Sequence, residues 1–340
     1  MEVSFSLTPT TLLTEHAKIV AQAEACGFDL AWCPDQGFMR DPFASIAYTA
    51  ALTKIPLGLA VVNPFSRHPL QIARAIGTLA DLRKEGVILG VGAGELLRMR
   101  RKMGAPEAPL IDTLRASIVA MRALLAGEEV SIDHPVFKLD KVRLEFKPTA
   151  QVPLYIASTS FDAFALAGEI ADGVIVGDIA DPEVIRNIVR TVRESAVKAG
   201  RDPKAIKIVA WVSTLLTDSQ EETYELLRLP VVGRAVSNAA RKTREALQVP
   251  EEVIGEIKRS LQNGDKQISK SVVSDRLVDA MTLVGTAESV TRRSLALRDA
   301  GVDVLGCRMP VALANRYPFE QNLRKISETI IPALKSGSSR

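Results

Sequence analysis

Cysteine and histidine are scarce, with three of each in 340 residues. Cys26, Cys33 and Cys307 are too few and too scattered for a disulfide framework or a cysteine-rich zinc site, and read as small buried hydrophobes. His16, His68 and His134 lie far apart without a ligand spacing such as HExxH, so no metal site is expected. A surplus of one charge is also missing: 43 basic against 40 acidic residues leave +3, which gives no reason to expect a nucleic-acid partner. No apolar run approaches the ~20 residues that span a bilayer. The start, MEVSFSL, has neither the basic residues nor the long apolar stretch of a signal peptide. The expectation is a soluble, cytoplasmic protein with a small-molecule substrate, and no nucleic acid or membrane as partner.

What is present is a rhythm. Short apolar runs alternate with helical patterns: Glu2 to Leu7, Asp29 to Cys33, Leu57 to Val62, Gly86 to Gly92, Val152 to Ser158, Asp172 to Val176, Ile206 to Thr214 and Val302 to Cys307. Near-continuous apolar strands suit a parallel sheet buried on both faces. The alternation is broken twice. Val130 to Lys147 has period two and reads as a hairpin-like excursion. Residues 218–281 carry only helical patterns and read as an insertion within one domain spanning 1–340. Eight strand–helix units predict an α/β fold, the closed (β/α)8 TIM barrel.

In such a barrel the site lies where the strands end. GLAVVNPFSRHP (Gly58 to Pro69) stops abruptly at Asn63-Pro64, a turn whose proline cannot continue a central ladder. The other strand ends supply Ser6 and Thr8, Cys33 to Gln36, Gly92 to Glu95, Ala157 to Thr159, Gly177-Asp178, Ser213, and Cys307 to Met309. Asp35, Glu95 and Asp178 are the only obvious proton carriers. No Ser-His-Asp or Cys-His pairing is visible, so the site suits a bound cofactor that brings its own chemistry. GVGAGE fits a ligand-cradling loop and equally a tight βα turn. Ala157 to Ser160, opening a helix, fits a phosphate site and equally an N-cap cluster. Arg98, Arg100, Arg101 and Lys102 fit an anion contact or a solvated helix face. Arg67 and His68 fit turn caps, and His16 a packed core histidine.

Taken together, WCPDQGFMRDP (Trp32 to Pro42), LGLAVVNPFSRHP (Leu57 to Pro69), LGVGAGE (Leu89 to Glu95), FKPTAQVPLYIAS (Phe146 to Ser158), AGEIADGVIVG (Ala167 to Gly177) and VGTAESV (Val284 to Val290) resemble the bacterial luciferase-like superfamily. Within it the chain is similar to the coenzyme F420-dependent methylenetetrahydromethanopterin reductases. The resemblance implies an F420-dependent oxidoreductase that passes a hydride between the deazaflavin and a substrate carbon, with a methylene-tetrahydropterin as the best substrate. It implies a bulge at the end of strand three with a non-proline cis peptide, here Ala60–Val61, behind the ring. Ser6, Asn63, Gly92, Ala93 and Gly94 would join Ala60 and Val61 around the cofactor. Its phosphate-bearing tail would match Ala157, Ser158 and Thr159 with Gly177 and Asp178, and its carboxylates the Arg98 to Lys102 cluster. Asp35, Gln36 and Glu95 would be catalytic, and a homodimer is the usual assembly. Two positions depart from the pattern: Gln36 follows Asp35 where a histidine is common, and Ser6 stands where the reductases carry an acid. The rivals are an FMN-dependent monooxygenase of the same superfamily and a non-catalytic cofactor-binding or oligomerisation barrel.

Overall fold

The computed structural model describes residues 1–83, 86–310 and 313–336; the remainder of the 1–340 span lies outside the described residues. Strands β1 (Glu2–Ser6), β2 (Leu30–Cys33), β3 (Leu57–Val62) and β4 (Val87–Gly92) pair in parallel in that order. The hairpin β5 (Val130–His134) and β6 (Phe137–Val142) stands apart as a two-stranded antiparallel sheet. The barrel resumes with β7 (Leu154–Ser158), β8 (Gly173–Gly177) and β9 (Lys207–Leu216). It passes to β11 (Val304–Arg308) and back to β1, and the β8–β9 pairing completes the ring. The fold is therefore the closed eight-stranded parallel barrel expected from the alternation.

The structure adds two elements to that expectation. Thr282–Gly285 forms a short strand, β10, on the upper half of β9, just ahead of the helix Ala287–Asp299. Helix α4 (Leu96–Met103) sits between β4 and α5 (Leu110–Ala126) and carries the basic cluster. Between β9 and β10 the chain runs through five α-helices, α8 (Gln220–Leu227), α9 (Arg234–Asn238), α10 (Arg241–Ala246), α11 (Glu251–Asn263) and α12 (Asp275–Met281). Arg228, with a fully buried side chain, ties this segment together through Glu225, Asp275 and the Val273 carbonyl. Among the described residues no helix is long and apolar enough to cross a membrane.

Two features make the barrel rigid. Inside, each large aromatic lies over a glycine of the adjacent strand in register: Trp32 over Gly58, Tyr155 over Gly173 and Trp211 over Gly306. A Cβ on Gly173 would stand 2.6 Å from the Tyr155 ring, and one on Gly306 would stand 2.9 Å from the Trp211 indole. Small-against-large alternation of this kind fills a narrow barrel at interior packing density.

At the lower rim, three aspartates just ahead of strands clasp their neighbours. Asp29 accepts the Val3 amide at 2.9 Å, Asp172 that of Leu154 at 2.8 Å and Asp303 that of Ile208 at 2.8 Å. Each aspartate's own amide donates back to the same residue's carbonyl. These clasps satisfy strand-end amides that the ladder alone leaves unpaired. Outside the barrel, His16 is buried in the helix layer against the Leu7 carbonyl and Thr49, as a core histidine. Burial holds its pKa below the ordinary value, because the charged ring is disfavoured there.

Candidate functional site

The upper rim collects the strand ends singled out above. The β3–β4 ladder slips between Leu59 and Val62, and the Ala60–Val61 peptide in that bulge is cis, as the resemblance implied. Ala60 faces the barrel interior, fully buried. Gly90 and Gly92 on β4 leave space beside it: a Cβ on Gly90 would meet Ala60, and one on Gly92 would strike the Ala157 carbonyl and Val61. The bulge with its two glycines is a smooth, side-chain-poor wall, which suits the face of a planar ring.

Most of the anticipated polar groups are engaged within the protein. Asn63 is buried; its amide donates to the Ala93 carbonyl at 2.6 Å, and its oxygen accepts the Phe65 amide at 2.7 Å. It shapes the turn after β3 and braces the Gly92–Gly94 loop. Asp35 accepts from Arg67 Nε at 2.8 Å and from the Gly37 amide at 2.9 Å, with a side chain only 5% exposed. Arg67 reaches Asp41 as well, at 2.7 Å, so it is more than a turn cap. His68 caps α3 (Pro69–Ala80) by accepting the Leu70 amide. Glu95 opens α4 and pairs with Arg98 at 2.7 Å, while Arg98 stacks 4.4 Å over Phe38.

Across the mouth, Asp178 and Arg308 form a two-pronged ion pair, and Arg308 also donates to Ser213 Oγ at 2.9 Å. The sequence places Arg308 and Ser213 at strand ends without assigning them a role, and the resemblance makes Asp178 a cofactor contact. The Asp178 amide donates to the Trp211 carbonyl at 2.9 Å, so both its amide and its carboxylate are engaged. Burial pushes the Asp178 carboxyl upward, and the adjacent guanidinium opposes that shift.

Other groups are open. Ser6 Oγ and the Trp211 indole N–H are buried with no hydrogen-bond partner among the described residues. The half-buried Gln36 amide makes no hydrogen bond among them either. A buried polar group without a partner costs about 1–3 kcal/mol, so orphans at a barrel mouth point to a ligand that pairs with them. Helix α6 (Phe161–Ile170) adds an N-terminus without a side-chain cap just beyond Ala157, Ser158 and Thr159, beside Gly177. Thr243 on α10 donates to the Thr159 carbonyl, and Lys242 pairs with Asp162 at 2.8 Å, so the helical segment reaches this edge of the mouth. Ser213 and Arg308 stand at strand ends in the sequence, but their link to Asp178 is not legible there, and Trp211, within β9, gave no signal of a place in the site.

Relatives carry the same architecture. Over 305 residues the chain is 29% identical to the 5,10-methylenetetrahydromethanopterin reductase of Methanolobus tindarius, covering 89% of this chain and 91% of that protein. It is 31% identical over 192 residues to the F420-dependent glucose-6-phosphate dehydrogenase of Microbacterium testaceum, covering 53% and 57%. The solved F420-dependent tetrahydromethanopterin reductase of Methanopyrus kandleri superposes with a TM-score of 0.84 at 23% identity, over 97% of this chain and 98% of that one, and so shares its fold. The family described as luciferase-like monooxygenase matches residues 3–304. Barrel, bulge and family match agree along the same stretch, and this chain belongs to the luciferase-like family.

Proposed function

We propose that this protein is an F420-dependent oxidoreductase, with a methylene-tetrahydropterin or related one-carbon carrier as substrate. The observation that carries this reading is the β3 bulge. Its cis peptide at Ala60–Val61 and the adjoining Gly90 and Gly92 form a flat wall at the mouth of the barrel. The deazaflavin would lie against it, with Ser6, Asn63, Gly92, Ala93 and Gly94 around the ring. Ala157, Ser158 and Thr159, the α6 N-terminus and Gly177 would hold the phosphate, and the α4 cations the acidic tail.

When bound, the cofactor supplies the hydride. The protein's residues position and shield. Asp35 and Glu95, each bound to an arginine, set the shape of their loops, and Gln36 offers its amide to ring or substrate. A mouth whose carboxylates sit in ion pairs favours chemistry brought by a cofactor over acid–base chemistry brought by side chains. We assign the partner as a second copy of the chain. Helix α2 (Pro42–Leu52) contains no charged residue and leaves Tyr48 38% and Leu52 58% exposed.

Titration with F420, followed by cofactor fluorescence, tests the reading. The expected result is saturable binding of F420 and, with F420H2 supplied instead, its oxidation when methylene-tetrahydromethanopterin is added. Tight FMN binding without F420 affinity would establish the monooxygenase rival instead. F420 binding without turnover of any pterin, imine or carbonyl acceptor would favour a binding barrel.

A further inference from the structure

The ion pair at the mouth bears on the substrate. Around the ring the strands run β1, β2, β3, β4, β7, β8, β9, β11, so β9 stands four places from β3 in either direction. Asp178 follows β8, Ser213 lies on β9 and Arg308 ends β11. The cluster therefore faces the cis bulge across the full width of the mouth. It is also level with the orphaned Ser6: β1 pairs Ser6 with Arg308, and β9 pairs Ser213 with Arg308. A planar cofactor against the bulge leaves its open face, and the substrate on that face, turned toward this cluster.

The guanidinium is only partly engaged. Both Nη2 hydrogens and one on Nη1 are directed at Asp178 and Ser213; Nε–H and the second Nη1–H have no partner among the described residues. Both Asp178 oxygens accept from Arg308, the geometry of an ionised carboxylate. The charge of Arg308 is thus balanced at contact distance. Arg67 is balanced by Asp35 and Asp41, and Arg98 by Glu95. A phosphate or carboxylate placed beside Arg308 would also sit beside Asp178, and like charges at that spacing repel.

We propose that Arg308 is a substrate-anchoring residue, locked by Asp178 and Ser213 so that it offers hydrogen-bond donors without net charge. The class of group it takes is a neutral acceptor, such as the lactam or amide carbonyl of a heterocycle, rather than the phosphate of a sugar phosphate. Asp178 sets that selectivity by excluding anions. The proposal rests on the F420 reading for the direction in which the substrate approaches, and it narrows that reading to uncharged acceptor groups.

The test removes the balancing charge. Asp178 has φ of 55°, a left-handed conformation that asparagine tolerates and glycine favours, so Asp178→Asn and Asp178→Gly both suit the backbone. Inorganic phosphate is titrated by calorimetry into wild type and each variant, with and without F420, after the variants' melting curves establish that they are folded. The expected result is phosphate affinity about tenfold or more higher in both variants than in wild type, in the F420-loaded protein as well as the free one. Arg308→Gln in the Asp178→Asn background should abolish the gain. Unchanged phosphate affinity in a folded variant overturns the proposal. So does a loss of F420 affinity of about tenfold or more in Arg308→Gln alone, which would place Arg308 against the cofactor. If wild type fails to bind F420, the cofactor reading falls, while the phosphate titrations still decide the charge-balance claim.

Discussion

At the lower rim of the barrel Asp29, Asp172 and Asp303 each accept an amide from the first or second residue of a neighbouring strand and donate their own amide to that residue's carbonyl. At the upper rim Ser6 Oγ, and within the barrel the Trp211 N–H, are buried without partners among the described residues, and the Arg308 Nε–H has none among them either. Both rims belong to the same strands, only four to ten residues long. The difference separates stability from function. Polar groups closed on each other below hold the ring together, and groups left open above await a ligand.

The largest effect is expected from breaking two clasps at once. Asp29 on β2 and Asp172 on β8 lie on opposite sides of the barrel and share no partner. Removing both in Asp29→Ala/Asp172→Ala should cost about 4 kcal/mol, since each orphaned amide costs about 1–3 and distant losses add. Urea unfolding measures it, and F420 affinity below the melting range should be unaltered; a change there would mean the lower rim also shapes the mouth.

Gly306→Ala should cost about 1–3 kcal/mol, because the added Cβ falls 2.9 Å from the Trp211 indole. Since Trp211 is packed in the interior aromatic cluster and its indole N–H has no partner among the described residues, this change should also alter tryptophan emission, which the clasp variants leave alone.

Next in size is the effect of acid on the helix layer. The pKa of His16 is lowered by burial, so the unfolded chain takes up its proton first as pH falls from the ordinary value of 6.5. Stability from this residue is complete above that pH and declines below it, until the folded-state pKa is passed. Melting curves from pH 7.5 downward should show the decline in wild type and a flatter profile in His16→Gln.

The smallest effect has the opposite sign. Ser6→Ala removes a buried hydroxyl without a partner and should raise stability by up to about 1 kcal/mol, while weakening ligand binding. A loss of stability in this variant would show that Ser6 already has a protein partner and would erase the contrast between the rims.

The strand ends and their order were legible in the sequence because each strand is a compact apolar run bounded by turn residues. Helix α4 was legible only as one of two readings of its basic run, and strand β10 was not legible. LLRMRRKM has too little apolar periodicity to separate a helix from a charged loop, and TLVG is too short to distinguish from the end of the preceding amphipathic helix. The bulge at Ala60–Val61 came from the resemblance, since nothing in the local pattern LGLAVV marks it. Asp178 was visible as a strand-end carboxylate, but its partner lies 130 residues away, and ion pairs at such separation leave no local trace. Separation in sequence also explains why Asp35 looked like a free acid: Arg67, which engages it, follows one helix and one strand later, 32 residues on.

Strand β9 is twice as long as most of its neighbours and rises past them, and β10 pairs with its upper half. The Thr217 amide meets the Gly285 carbonyl at 2.8 Å, so the helical segment leaves and re-enters the barrel at one point. Its ends are already joined before any helix within it packs. Closure entropy grows only with the logarithm of loop length, so the barrel is nearly indifferent to how much chain hangs between those two residues. For an engineer, the stretch between Thr217 and Gly285, which includes most of β10, is the natural unit to exchange with segments from relatives while the eight-stranded ring stays the same.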